Sequence, residues 1–486
     1  MKRMLASLLA MLFLGSGLVN SVYAEMPNTQ NLNTNKIDIS TDEIKEYDGF
    51  LVGMRERLDI HFFSEQHSEL RSAVLEQVIN GIYWVNSLQV VQELKRLGLI
   101  EFFEPNYYVT LFDDSGNNSN GWPYDTLMVE YADSYNLKGS GVRIGIIDSG
   151  VDSSNPDLQN ANLQQGYNYV EENTDTRDDV SHGTKVTQVI CGDHNGLGIG
   201  GIAPNTEIIP LKCFSSSGGG TIRIIIQAIQ DAVDRYQCDI INMSWGLNSN
   251  SQALYSMLRY AYDAGSILVA AAGNVSSSYP QGTMIYPAAY NEVFSVSAID
   301  SSLHVLSSSQ KNDQVYLCAP GGSIPFVDEN GNVTYDSGTS FAAPFITATI
   351  AVLMELDADL DQKTIQQIVE ARAVDLGEPG YDTAYGYGML PMHKLLGQHW
   401  SRFYTTEQEG HTSKSVSGWT LNHGGSKVIM AAFDKTGQMK GAQILSVDGD
   451  RGLFHHVFPD ETASWYQVVY TDTDFIPLTE CDLFYP

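Results

Sequence analysis

Residues 142–152 read Val142-Arg143-Ile144-Gly145-Ile146-Ile147-Asp148-Ser149-Gly150-Val151-Asp152, a short β-branched run that stops on an acid. Apolar residues at successive positions, rather than alternate ones, mark a strand buried on both faces, as in a parallel sheet. Asp148 ends that strand where open α/β sheets place their sites, although an Asp there equally serves a turn or a helix cap. The same pattern recurs outward, with strands expected at 207–211, 239–243, 266–271, 293–298 and 315–319. Helices are expected at 222–236, 252–263, 340–355 and 362–372, and another opening near His182. The fold class that follows is α/β, a mostly parallel sheet flanked by helices.

Two further motifs follow Asp148 along the chain. Ser181-His182-Gly183-Thr184 opens a helix, and a helix N-terminus disfavours a cationic imidazole, which suits a neutral base. Gly338-Thr339-Ser340-Phe341-Ala342-Ala343-Pro344 sets a serine among small residues at the start of an apolar helix. Its hydroxyl is thereby uncrowded, and Gly338 lets a substrate backbone come close. Each motif alone has a plain structural reading, a surface histidine or an N-cap. Together they supply a complete set: serine attacks only when a neutral imidazole takes its proton, and a carboxylate fixes the imidazole's tautomer. The order Asp, His, Ser differs from that of α/β-hydrolases and of chymotrypsin-like enzymes, and is the order of subtilisins.

On these residues the stretch 120–397 resembles the subtilisin-like serine proteases. IIDSGVDSSNPDL from Ile146, SHGTKV from Ser181, NMSWG from Asn242, AAAGN from Ala270 and GTSFAAP from Gly338 carry the resemblance. It implies an endopeptidase in which Asp148 orients, His182 acts as base then acid, Ser340 attacks, and Asn274 donates to the oxyanion. Ser217, Gly218 and Gly219 on one side, and Ser244, Trp245 and Gly246 on the other, match the two backbone edges that hold an extended peptide in this family. Ile285, eleven residues past Asn274, stands where many relatives have glycine at the base of the pocket for the residue before the cut; small or medium apolar side chains are expected there. Asp157 and Asn195 match side-chain ligands of the family's calcium site, with loop carbonyls around Asp193, Leu197 and Ile199. Hard oxygen donors suit calcium, and no organic cofactor is expected. Phe341, Phe345 and Lys185 depart from residues frequent in relatives and blur specificity while leaving the triad intact. Two readings stay open beside the endopeptidase: a catalytically silent binding protein on the same fold, and an esterase with a similar triad.

The flanks complete the reading. Lys2-Arg3, an apolar run to Leu18 and small residues before Glu25 form the layout of a secretory signal peptide over 1–24, cut after Ala24. A polar lead, 25–45, precedes an α+β module at 46–112. Within it strands are expected at 49–54, 81–85, 100–103 and 107–111, and helices at 68–79 and 87–97. The module resembles the family's pro-domain, an intramolecular inhibitor whose tail lies in the groove as product, with self-cleavage near Phe112 or in the linker 113–121. The catalytic domain would span 122–397. Past Gly397 the helical signal stops and 398–486 reads as a small β domain.

Glycines at 196, 198 and 201 satisfy a dinucleotide-binding string but follow a helix rather than a strand. Asp357, Asp359 and Asp361 imitate an EF-hand loop that lacks its glycine and final glutamate. Cys191, Cys213, Cys238 and Cys318 read as buried thiols, and Cys481 has no evident place. The 486 residues hold 58 acids against 27 Lys and Arg, a formal charge of -31. Of these, 33 acids and 12 bases lie in 113–397. Such a surface repels nucleic acid and anionic membranes and favours neutral or basic peptide substrates. No segment after the signal peptide is long and apolar enough to span a bilayer, so a secreted, soluble protein is expected.

Overall fold

The computed structural model describes residues 47–55, 75–79, 81–111, 121–397, 399–408, 411–421, 426–436, 438–447, 451–458, 465–471 and 482–484. The expected signal peptide 1–24, the lead 25–45, residues 68–74 of the expected helix 68–79, most of the linker 113–121 and Cys481 lie outside them. Residues 46–486 form one compact unit.

At its centre is an eight-stranded sheet. Strands β5 (Arg143–Asp148), β8 (Glu207–Lys212), β10 (Ile240–Met243), β12 (Ile267–Ala271), β13 (Phe294–Ile299) and β14 (Leu317–Pro320) run in the order β14-β13-β12-β10-β5-β8. Two-residue strands β6 (Asn162–Leu163) and β7 (Tyr167–Asn168) join β8 at the edge. Every pairing in this sheet is parallel. Helices α4 (His182–Cys191), α5 (Ile222–Asp234), α6 (Gln252–Asp263), α7 (Thr339–Met354) and α8 (Gln362–Arg372) connect and cover it. Helix α7 is buried along its whole length, as an apolar helix without a polar face must be. The hairpin β15 (Ile324–Val327) with β16 (Val333–Asp336) leads into it. The four cysteines in this region are free and buried, and burial pushes their thiols well above the ordinary range, which keeps them unreactive.

The N-terminal module differs from expectation in two places. Residues 75–79, expected to end a helix, are strand β2 (Leu75–Ile79), antiparallel to β3 (Ile82–Val85) with Ile79 opposite Ile82. Asn80-Gly81 is a strong hairpin signal, Gly81 has a left-handed φ of 83°, and pairing outweighed a short helical pattern. Second, the two strands expected around Pro105 are one, β4 (Ile100–Leu111). Pro105 is tolerated because β4 is paired on only one side there, with Phe50 of β1 (Tyr47–Met54). Helix α1 (Leu88–Arg96) packs Val90, Val91 and Leu94 inward. Leu51, Val78, Ile79 and Ile82 of this module belong to one apolar cluster with Ile222, Ile226 and Met257 of α5 and α6.

Beyond residue 398 the described residues lie in two antiparallel sheets and the turn that joins two of their strands. One is β17 (His399–Gln408), β18 (His411–Leu421) and β21 (Arg451–Phe458). The other is β20 (Met439–Val447), β19 (Ser426–Phe433), β22 (Trp465–Thr471) and β23 (Asp482–Phe484). Trp419 joins the main core and donates its indole N–H to Leu396 O at 3.0 Å. Arg402 pairs with Asp357 at 3.1 Å and donates to Asp359 O, while Asp361 caps α8 through Thr364 N. The three aspartates that imitate a calcium loop are thus used in docking and capping.

Candidate active site

Strand β5 is buried and has a partner on each side, so the residue at its carboxyl end is held rigidly. Asp148 there is wholly buried. Its Oδ1 accepts the Ser149 N–H at 2.7 Å and faces His182 Nδ1 at 2.8 Å. A carboxylate only accepts, so the proton of that contact sits on Nδ1 and the lone pair on Nε2. Behind the pair, Lys212 Nζ donates to Ser149 O at 2.6 Å and Asp179 Oδ2 at 3.0 Å.

His182 opens α4. Asp178 organises that helix end: Oδ1 accepts the N–H groups of Val180 and Ser181, and Oδ2 accepts the N–H and hydroxyl of Thr184. Ser181 is consequently held in the left-handed region, φ 69°. Gly183 next to His182 donates to Ser149 Oγ at 2.9 Å. A Cβ at Gly183 would come within 2.2 Å of Gly150 O, so only glycine lets α4 approach β5 this closely.

Ser340 is the second residue of α7 and is fixed through its carbonyl, which accepts the Ser244 hydroxyl at 2.7 Å. Asn242 donates to Ser244 Oγ at 3.0 Å and accepts from Thr347 at 2.8 Å, tying α7 to the end of β10. Phe341 lays its ring against His182, centroids 5.5 Å apart.

Asn274 follows β12 through Ala272-Gly273. Its Oδ1 accepts the Thr339 N–H at 3.1 Å and hydroxyl at 2.9 Å. That fixes the amide's orientation and leaves Nδ2 buried without a partner. A buried, unpaired donor costs about 1–3 kcal/mol, and here it is preorganised for a negative oxygen.

Of the residues expected to edge the groove, Gly219 lies in β9 (Gly219–Thr221), whereas Ser217 and Gly218 form the turn before it. Trp245 and Gly246 make β11, while Ser244 is turned toward Ser340. Between the two edges runs β4. Tyr108, Val109 and Thr110 pair with Thr221, Gly220 and Gly219, and Thr110 and Leu111 pair with Gly246 and Trp245. Ile285 is buried against Gly273, where an added Cβ would meet Ile285 Cγ1 at 2.6 Å.

Asp157 is buried, with Oδ1 accepting from Asn195 Nδ2 at 3.0 Å and Oδ2 without a partner. Burial first, and Asp193 nearby, push its carboxyl up to about 7 against the opposing Asn195 hydrogen bond. Gly192 and Gly198 leave room beside Oδ2, where a Cβ on either would stand 2.9 or 3.4 Å away. The Asp193 carboxylate is turned to Asn160 and its carbonyl to Asn195 N. Leu197 is exposed, and Ile199 is buried. Among the described residues no group of three or more His, Cys, Asp or Glu gathers. An orphaned carboxylate oxygen with amide and carbonyl neighbours fits an oxygen-ligated cation rather than a zinc-type site.

Glu104 and Asn106 of β4 carry no signal that singles them out in the sequence. Glu104 is buried and accepts the Gln252 and Ala253 N–H groups and the Ser251 hydroxyl, capping α6. Asn106 Oδ1 accepts Arg223 N at 2.8 Å at the start of α5.

Residues 139–388 match the Subtilase family. The chain belongs to the subtilase family. Among curated relatives, it is 34% identical over 313 residues to the minor extracellular protease Epr of Bacillus subtilis, which covers 62% of this chain and 47% of Epr. It is 34% identical over 253 residues to subtilisin DY of Bacillus licheniformis, covering 52% of this chain and 90% of that one. A thermophilic serine proteinase of Bacillus sp. strain AK1 is 33% identical over 311 residues, 63% of this chain and 75% of that protein. This subtilase thus spans less than half of Epr but nearly the whole of subtilisin DY. Among its described residues, no helix is long and apolar enough to cross a membrane.

Proposed function

We infer that this subtilase is a secreted serine endopeptidase, made as a zymogen, that hydrolyses peptide bonds through an acyl-enzyme on Ser340. The observation that carries this reading is Asn274: an amide pinned by two hydrogen bonds from Thr339, with its donor buried and unused beside the residue before Ser340. In the reaction the Ser340 oxygen attacks the scissile carbonyl carbon and its proton passes to His182 Nε2. Asp148 stabilises the imidazolium that results. Asn274 Nδ2 donates to the oxygen that becomes negative. His182 then protonates the departing amine, and water, losing a proton to the same imidazole, hydrolyses the ester.

An extended substrate would add a strand between β9 and β11, the mode β4 uses in the described chain. Ile285, filling the space under Gly273, supports a preference for small or medium apolar side chains before the cut. The occupied groove supports residues 46–112 as inhibitor, with self-cleavage near Phe112 or in the linker that follows. Export rests on the signal-peptide layout of residues 1–24. Calcium, a structural ion here, would be held by Asp157, Asn195 and the carbonyls of Asp193, Leu197 and Ile199.

A fluorophosphonate probe on the processed protein tests the reading. Stoichiometric labelling that Ser340→Ala abolishes, with processing in that variant lost as well, is the expected result. An unreactive protein would make it a silent binding protein, and turnover of esters but not peptides would make it an esterase.

A further inference from the structure

We propose that the ion pair between Lys185 and Asp336 is a positioning element of the reaction centre, holding the helix that carries His182 against the turn that delivers Ser340. The proposal rests on the hydrolase reading above. Lys185 lies three residues along α4 from His182, and so on the same helix face. Its Nζ stands 2.6 Å from Asp336 Oδ2, with the lysine side chain 22% and the aspartate side chain 9% exposed. Asp336 closes β16, four residues before Ser340, and grips that turn itself, Oδ1 accepting Ser337 N at 2.9 Å. Ser337 Oγ in turn accepts Ser323 N at 2.9 Å. One carboxylate therefore holds both α4 and the backbone leading to the nucleophile.

The space between the two charges and the reacting groups is filled by Phe341. The Lys185 ammonium lies 5.9 Å from its ring centre and 5.8 Å from that of Phe326. The Phe341 ring also packs against Phe326 at 4.8 Å and His182 at 5.5 Å. A shift of α4 relative to β16 would therefore move the ring against which the imidazole rests. Exposed ion pairs add little, but a largely desolvated one is costly to break from one side, because the remaining charge must find water or another partner. Asp336 without Lys185 would be drawn toward solvent and take the turn with it. Misplacement of reacting groups by about 1 Å costs on the order of 100-fold in rate. Lys185 lies within the SHGTKV motif but stands in the sequence only as a departure, because its partner Asp336 is 151 residues away.

The test compares the processed parent with Lys185→Met, Lys185→Arg, Asp336→Asn and the Lys185→Met/Asp336→Asn double variant. Turnover of a peptide substrate is measured per fluorophosphonate-titrated site, so that unfolded protein does not count, and a melting curve is taken for each. Lys185→Met is expected to lower kcat per site by roughly 10- to 100-fold, with KM within about threefold. Lys185→Arg should restore most of it, and the double variant should be no worse than Lys185→Met, since uncoupled effects would add. Asp336→Asn, which keeps the shape of the carboxylate, carries the same expectation should Lys185→Met fail to fold. A kcat per site within twofold of the parent in both single variants, with or without a lower melting temperature, overturns the proposal. So does simple additivity in the double variant. A parent whose Ser340 does not react with the probe overturns the hydrolase reading and this inference together, an outcome distinct from a reactive parent indifferent to Lys185.

Discussion

Asp148, His182, Asn274 and Ser340 take their supports from Ser149, Thr339 and Ser244, all within the protease body. The groove beside them is satisfied differently. Gly219, Gly220, Trp245 and Gly246 pair with residues 109–111, and the N-terminal ends of α5 and α6 are met by Asn106 and Glu104. If the N-terminal segment is cut away as proposed, a machinery held from inside would persist, whereas a groove edge and two helix ends would lose their partners. Backbone edges and helix N-termini carry unused donors that attract the next peptide or water. The difference lets one chain hold the candidate catalytic residues in place while the groove beside them is occupied.

The strongest way to break that comparison is to attack the internally held side. Asn274→Ala removes the unpaired Nδ2 and also two acceptor contacts to Thr339. Loss of one such donor costs about 100- to 1,000-fold in turnover. With substrate contacts in the groove untouched, kcat should fall by that factor while KM changes little. A smaller drop would mean that the developing charge is met elsewhere and that the buried amide is structural.

Asp148, His182, Asn274 and Ser340 could be picked out as candidates because each sits in a contiguous motif at a strand or helix end, where local pattern and chemistry coincide. The parallel sheet was legible for the same reason: its strands are short apolar runs that need no distant information. Glu104 was not, because the donors it accepts lie nearly 150 residues away on α6, and nothing adjacent in sequence marks it. Asn106 is hidden likewise, reaching Arg223 at a separation of 117. Leu75–Ile79 reads as the end of a helix because a five-residue segment with apolar residues only at 75, 78 and 79 is ambiguous until its hairpin partner is known. Pro105 hides a continuous strand because its tolerance depends on which side of β4 is paired. Tertiary context decided all four.

A smaller effect would sharpen the internal side. Asp157 is a part of the body that lacks a complete set of partners, its Oδ2 being buried and unpaired. If calcium completes it, binding at about 100 times Kd adds about 2.7 kcal/mol to stability. Calcium should therefore raise the melting temperature of the parent, chelator should lower it, and Asp157→Asn should abolish the difference. Melting of the parent that ignores both calcium and chelator would show a loop closed by its own hydrogen bonds.

The smallest expected effect lies at the contact between the two regions. Removing a helix cap costs about 0.5–2 kcal/mol, so Glu104→Ala should speed departure of the nicked N-terminal segment from the processed protein by roughly 2- to 30-fold. Burial raises the Glu104 carboxyl, outweighing the hydrogen bonds from Ser251, Ala253 and Gln252 that lower it. The sign follows by linkage: the docked state binds the proton more tightly than the free segment does. Docking is therefore strongest below the ordinary carboxyl range and weakens as pH rises through the elevated value. The segment should leave faster at alkaline than at acidic pH, and Glu104→Gln should flatten that dependence while the other carboxylates still titrate. Departure that quickens on acidification would mean that the α6 N-terminus holds Glu104 as an ion and that its hydrogen bonds, not its burial, govern the contact.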